Sequence, residues 1–129
     1  MFQQVFDPEG YSVLVQDGRP AGFQFGMKLQ YYRGAPLSIV LDIEVWLDGV
    51  KVPRESLRVV NRGDVFTLVE METAVDHRWE FGRWGTVQVL VDPAPAPGPH
   101  RLGCTQTIRP SYMPHQIVVH ADTEFTLPG

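Results

Sequence analysis

The chain is poor in cysteine. Cys104 stands alone among 129 residues, so no intramolecular disulfide and no thiolate zinc site can form from this chain by itself. No apolar run approaches the ~20 residues of a membrane helix. The opening "MFQQVFDPEG" lacks a charged n-region and an apolar h-region, which argues against a signal peptide and predicts a cytoplasmic protein without membrane contact. There is no basic run either. Net charge is −4, with 11 Lys and Arg scattered against 15 Asp and Glu. Nucleic-acid binders present basic stripes, so nucleic acid is not an expected partner. Chemical signatures are also missing. Ser12, Ser38, Ser56 and Ser111 sit in no G-x-S-x-G elbow. No glycine-rich phosphate loop and no H-x-H pair occurs.

What the chain does have is punctuation. Twelve Gly and 11 Pro cut it into short pieces, and the pieces alternate with period 2 rather than 3.6. "AGFQFGMKLQYY" places Phe23, Phe25, Met27, Leu29 and Tyr31 on one face, with Gly26 marking a bulge or a close approach on the other. "SIVLDIEVWLDG" places Ile39, Leu41, Ile43, Val45 and Leu47 together. Asp17-Gly18, Asp48-Gly49 and the Asn61–Asp64 stretch read as turns. "VFTLVEME", "RWEFG", "TVQVLVD", "RLGCTQTIRPSY" and "TEFTL" read as further strands. Pro53 in "VPRESL" fits one helical turn, and "DPAPAPGPH" is a surface connection. The expected fold is all-β: one domain, residues 1–129, built as an antiparallel β-sandwich of jelly-roll type with about eight or nine strands.

Candidates for chemistry are few. Of the four histidines, only His115 and His120 with Asp122 suggest a metal set, as in a small cupin-like metalloprotein. His115 and His120 are five apart and would face opposite sides of one continuous strand. Asp42/Glu44 and Glu70/Glu72 are carboxylate pairs, of the kind a solvated sheet face carries. Cys104 reads as a buried, inert thiol. Aromatic side chains near turns remain. Tyr31, Tyr32 and Arg33 run into Gly34-Ala35-Pro36, and "HRWEFGRWG" holds Trp79 and Trp84 with Arg78 and Arg83. Core anchors, a carbohydrate-binding module and a protein interface, where Trp, Tyr and Arg concentrate, all fit them.

Three stretches together carry a resemblance. "GFQFGMKLQYYRGAPLSIVLDIEVWLDGVKVPRE", "FTLVEMETAVDHRWEFG" and "IRPSYMP" span Gly22 to Pro114. In order and spacing they resemble the small β subunit of bacterial C-glycoside deglycosidases; "HQIVVHADTEFTLPG" is similar more loosely. The resemblance implies a heteromer, and a higher hetero-oligomer is compatible with it. The larger α subunit would be a TIM barrel carrying the acid–base residues and a divalent metal of Mn or Mg type. The complex would cleave the C–C bond between a 3-keto-glucosyl group and an aromatic aglycone such as a flavonoid. It implies no catalytic residue and no cofactor in this chain. Tyr31, Tyr32, Arg33, Pro36, Trp84, Tyr112, Met113 and Pro114 become candidates for a substrate mouth or a subunit interface.

Overall fold

The computed structural model describes residues 5–29, 35–74, 77–79, 83–109 and 115–128. Along the chain come β1 (Ser12–Gln16), β2 (Arg19–Met27), β3 (Ala35–Pro36), β4 (Val40–Leu47), β5 (Val50–Lys51), β6 (Leu57–Asn61) and β7 (Asp64–Thr67). A short helix, α1 (Leu68–Met71), precedes β8 (Arg78–Trp79), β9 (Gly85–Leu90), β10 (Gly98–Ile108) and β11 (Ile117–Leu127). All strand pairs are antiparallel. One sheet has the order β1-β2-β9-β6-β7 and a second β11-β10-β4-β5, while β3 and β8 form a two-stranded ribbon.

Three of the hairpins follow from their turn residues. Asp17-Gly18, Asp48-Gly49 and Arg62-Gly63 each place both central residues at positive φ. That is the type I′ form, whose twist matches the flanking strands. Pro53 caps a 3₁₀ turn at Arg54–Ser56, close to where the sequence puts one. Gly22 shows why a strand can require glycine. Its φ is +151°, and a Cβ there would lie 1.8 Å from the Val89 carbonyl oxygen. Gly26 marks a close approach: Asp7 packs over it and donates its N–H to the Gly26 carbonyl at 3.0 Å.

The two large sheets bury one core between them. Phe23, Phe25 and Met27 of β2 are fully buried, as their alternation predicts. Leu57, Val59, Val87 and Val89 join them from the same sheet, and Ile43, Val45, Leu102, Cys104, Ile108 and Leu127 face them from the other. Each fully buried large side chain contributes about 1.5–3 kcal/mol. Phe125 ties the layers at one edge, stacking on Phe23 at 5.5 Å and on Tyr11 at 4.6 Å between centroids. Burial of the Tyr11 phenol outweighs its hydrogen bond with Thr123 and, helped by the Asp7 charge, pushes its pKa up to about 12. Gln106, 1% exposed, donates from Nε2 to the Lys28 carbonyl at 2.9 Å. A buried amide thereby stitches β10 to the chain leaving β2. The all-β antiparallel sandwich expected from the alternation is the fold observed.

Three local expectations change. In β4 the inward residues are Val40, Ile43 and Val45, with Leu41 only half-buried. Pairing with β10 skips Leu41: Asp42 opposes Thr107 and Val40 opposes Ile108. A bulge adds one residue and reverses the alternation on its N-terminal side. "VFTLVEME" is not one strand. It turns helical after Thr67, whose Oγ1 accepts from the Glu70 N–H at 3.1 Å while Glu70 Oε1 accepts from the Thr67 N–H at 2.8 Å. This capping box starts α1, and Leu68 and Met71, three apart on one face, close over the core. The last strand also starts earlier than "TEFTL", running for 11 residues beside β10. No helix among the described residues is long and apolar enough to cross a membrane.

Candidate functional site

Arg78, Trp79, Arg83 and Trp84 of "HRWEFGRWG" gather at one end of the five-stranded sheet, beside Asn61 and Gly85. They are placed by the β3–β8 ribbon, in which Ala35 pairs with Trp79 and Pro36 with Arg78. Proline has no N–H to give a ladder, and the ribbon stops after two residues. The next N–H, from the fully buried Leu37, donates to the His77 carbonyl at 2.9 Å. The ribbon thus sets the proline of "RGAP" against the start of "RWEFG", more than forty positions away in sequence.

Trp79 fixes this end. It is 2% exposed, and its indole N–H donates to the Arg83 carbonyl at 3.1 Å. The ring lies on Gly85, where a Cβ would come within 2.5 Å of Trp79 Cζ2. Asn61, at the end of β6, donates from Nδ2 to the Arg78 carbonyl at 3.0 Å. Its Oδ1 is buried and accepts no hydrogen bond. Trp84 is turned out instead, 40% exposed, with Lys28 Nζ 4.3 Å from its ring centroid, a cation–π distance. A cavity of about 250 Å³ opens here, lined among others by Asn61, Arg62, Arg78, Trp79, Arg83 and Trp84. Three arginines, an exposed tryptophan and a buried asparagine thus meet at this recess.

Of the candidates read from sequence, Pro36 lies in the ribbon and Trp84 at the rim of this recess. Tyr31, Tyr32, Arg33, Tyr112, Met113 and Pro114 lie outside the described residues. The metal alternative comes together only in part. His120 Nε2 is 3.1 Å from Asp122 Oδ1, its Nδ1 is 2.6 Å from Thr105 Oγ1, and the ring meets Trp46 edge-on at 5.5 Å. Asp122 can only accept, so Nε2 carries the proton and Nδ1 can accept from the threonine hydroxyl. His115 does not complete the set, and no group of three His, Cys, Asp or Glu side chains suited to a metal forms among the described residues.

Several other titratable groups are tied into the framework. Asp42 pairs with Arg54 and Glu44 with Lys51, each at 2.9 Å. Glu70 serves the capping box, and the two hydrogen bonds with Thr67 hold its carboxyl below the usual range. Burial pushes the Cys104 thiol up to about 12, with Sγ 3.4 Å from Met27 Sδ; the inert thiol read from sequence is what the fold contains. His100 was not singled out by the sequence. Its Nδ1 meets Asp48 and its Nε2 the Ala96 carbonyl, at the base of the proline-rich connection. The only sequence signal was a histidine at a strand start, opposite a hairpin aspartate 52 residues away.

Fold and site define an all-β chain with a polar–aromatic recess at one end of its larger sheet. The family described as "C-glycoside deglycosidase beta subunit" matches residues 1–112, and the chain belongs to that family. A C-glycoside deglycosidase beta subunit of Eubacterium cellulosolvens is 30% identical over 115 residues, covering 88% of this chain and 78% of the relative. One of Arthrobacter globiformis is 32% identical over 79 residues, covering 61% and 60%. The 3'-dehydrocarminate deglycosidase beta subunit of a Microbacterium species is 30% identical over 107 residues, covering 79% of each.

Proposed function

We propose that the chain is the accessory, non-catalytic β subunit of a cytoplasmic C-glycoside deglycosidase. The observation that carries this reading is the family match over residues 1–112. The engagement of the described ion pairs and of Cys104 in the scaffold supports it. The partner is a larger TIM-barrel α subunit, whose active site lies among the loops at the C-terminal face of the barrel. A divalent metal of Mn or Mg type in that partner supplies polarisation of the sugar carbonyl.

The reaction is an elimination on a 3-keto-C-glucoside, for example of a flavonoid. The C3 ketone acidifies the C2 proton, which a general base of the α subunit removes. The electron pair forms the C1–C2 double bond as the bond from C1 to the aryl carbon breaks. The aryl carbon holds its proton in the keto tautomer of the phenol, so the electron pair of the breaking bond passes to the keto oxygen, which takes a proton as the neutral phenolic aglycone leaves. The name of the Microbacterium relative, with its 3'-dehydro substrate, supports a sugar oxidised at that position. This chain stabilises the α subunit and borders its mouth with Pro36, Trp84 and the Tyr31–Arg33 and Tyr112–Pro114 stretches.

Co-purification tests the assembly. A tagged copy of this chain, co-expressed with an isomerase-like subunit from a neighbouring gene, is expected to elute as a stable complex. A chain that elutes alone beside its co-expressed partner overturns the reading.

A further inference from the structure

Four strands form the edges of the two large sheets: β1 and β7 on one, β11 and β5 on the other. A free edge offers unpaired N–H and C=O groups to another chain, and proteins blunt it with short strands, bulges, lysine or proline. Three of these edges are blunted. β1 has five residues and a bulge at Leu14/Val15, β7 has four residues, and β5 has two, one of them Lys51. β11 is not. It keeps one register with β10 over all 11 residues, "IVVHADTEFTL", and holds no lysine or proline. Among the described residues no strand pairs with its outer side. Arg101 turns its N–H and its carbonyl toward Asp48 in the β4–β5 turn. Leu102 therefore turns toward β11, and its partner Thr123 toward β10. By the same alternation Val118, His120, Asp122 and Glu124 aim their backbone groups at the open edge.

This edge is complementary to itself. Two copies laid antiparallel about Ala121 set His120 of each opposite Asp122 of the other, where both backbones present their N–H and C=O groups. A carboxylate then meets an imidazole on each side of the axis. Moving the axis to Asp122 would set two carboxylates together, a destabilising pair. There is also room beside the strand: a cavity of about 560 Å³ lies between Phe6, Pro8 and Tyr11 and the Ala121–Thr126 stretch. In this register Ile117 and Val119 of the second copy lie opposite Phe125 and Thr123, at that cavity. Both are only half-buried within one copy. We infer that two copies of this chain pair through β11 about Ala121, joining two four-stranded sheets into one of eight strands. The pairing does not depend on the β-subunit reading; where both hold, it brings two α subunits into one assembly.

The test is disulfide trapping of an Ala121→Cys variant under mild oxidation, with sedimentation of the wild-type chain. At the axis the two Cα atoms form a non-hydrogen-bonded pair about 4.5 Å apart, within disulfide reach. Val118→Cys is the control, because position 118 faces Glu124 of the second copy. Cys104 is 1% exposed and does not compete. Ala121→Cys is expected to run as a cross-linked dimer and Val118→Cys as a monomer, while the wild-type chain sediments at twice the mass of one copy. His120→Glu is expected to weaken self-association at least about tenfold, and His120→Glu combined with Asp122→Lys to restore it. A wild-type chain that sediments as a monomer at every soluble concentration overturns the pairing. So does a folded Ala121→Cys that cross-links no better than Val118→Cys. Oxidation is repeated beside a co-expressed α subunit: a cross-link that persists supports the pairing, and one that vanishes gives the edge to the α subunit and overturns it. Should Ala121→Cys not fold, wild-type sedimentation and the charge exchange decide alone.

Discussion

His100 Nδ1 lies 2.7 Å from Asp48 Oδ2, and its Nε2 lies 2.6 Å from the Ala96 carbonyl oxygen. Both acceptors lack a proton to give, so the ring that satisfies both is the imidazolium. Asp48 also accepts the Arg101 N–H at 2.8 Å. One ion pair thus holds the β4–β5 turn, the start of β10 and the proline-rich connection together.

The pair makes stability depend on pH in a defined way. The Ala96 carbonyl first, then Asp48, raises the His100 pKa above its ordinary 6.5. Its contribution is complete below that value and is lost as pH rises through the raised one. Asp48 is the reverse: hydrogen bonds from His100 and Arg101 lower its pKa below 3.8, and its contribution is lost as pH falls through the lowered value. Asp48→Asn keeps a residue that tolerates the left-handed turn position. It is expected to lower Tm by roughly 3–6 °C near pH 6, the shift for about 1 kcal/mol in a chain of this size. The difference shrinks toward high and low pH. Melts from pH 3 to 9 that run parallel to wild type throughout contradict this.

Cys104 is predicted to be silent toward thiol reagents. It is 1% exposed, and its pKa is about 12, while the thiolate is the reactive form. Native protein at pH 8 is expected to give less than about a tenth of the colour that denatured protein gives with Ellman's reagent. Rapid, full reaction of the native chain would sink the placement of Cys104 in the core.

Gly85→Ala is predicted to disturb the recess from beneath. The new methyl meets the Trp79 ring, which is held by its own hydrogen bond and has little room to move. Overpacking of this kind costs roughly 1–3 kcal/mol. The expected readout is a lower midpoint in urea with a changed tryptophan emission. An unchanged midpoint and spectrum mean that Trp79 does not lie on Gly85.

Much of the fold was legible because its signals are local. Asp17-Gly18 and Asp48-Gly49 specify their hairpins, and Phe23, Phe25 and Met27 declare the inner face of β2 by alternation alone. What escaped depends on partners. The phase change at Leu41 comes from pairing with Thr107 and Ile108, which no window around β4 contains. The α1 turn had a readable signal, Thr67 followed by Glu70 at capping-box spacing, but the apolar run around it favoured a strand. The recess was half legible. "HRWEFGRWG" announced its aromatics and arginines, and Trp79 and Trp84 divide between core and surface as their places in a strand and beside a turn suggest. Asn61 appeared only as a turn residue, because the Arg78 carbonyl that its side-chain amide meets lies 17 residues on.

The central claim is that this chain acts through a partner. Its most direct test is release of free aglycone from a 3-keto-C-glucosyl flavonoid by the α subunit alone, by this chain alone and by the two together, followed by chromatography. This chain alone is expected to release none, and the two chains together are expected to act at least about tenfold faster than the α subunit alone. Release by this chain alone, or an α subunit equally active and equally stable without it, would contradict the account.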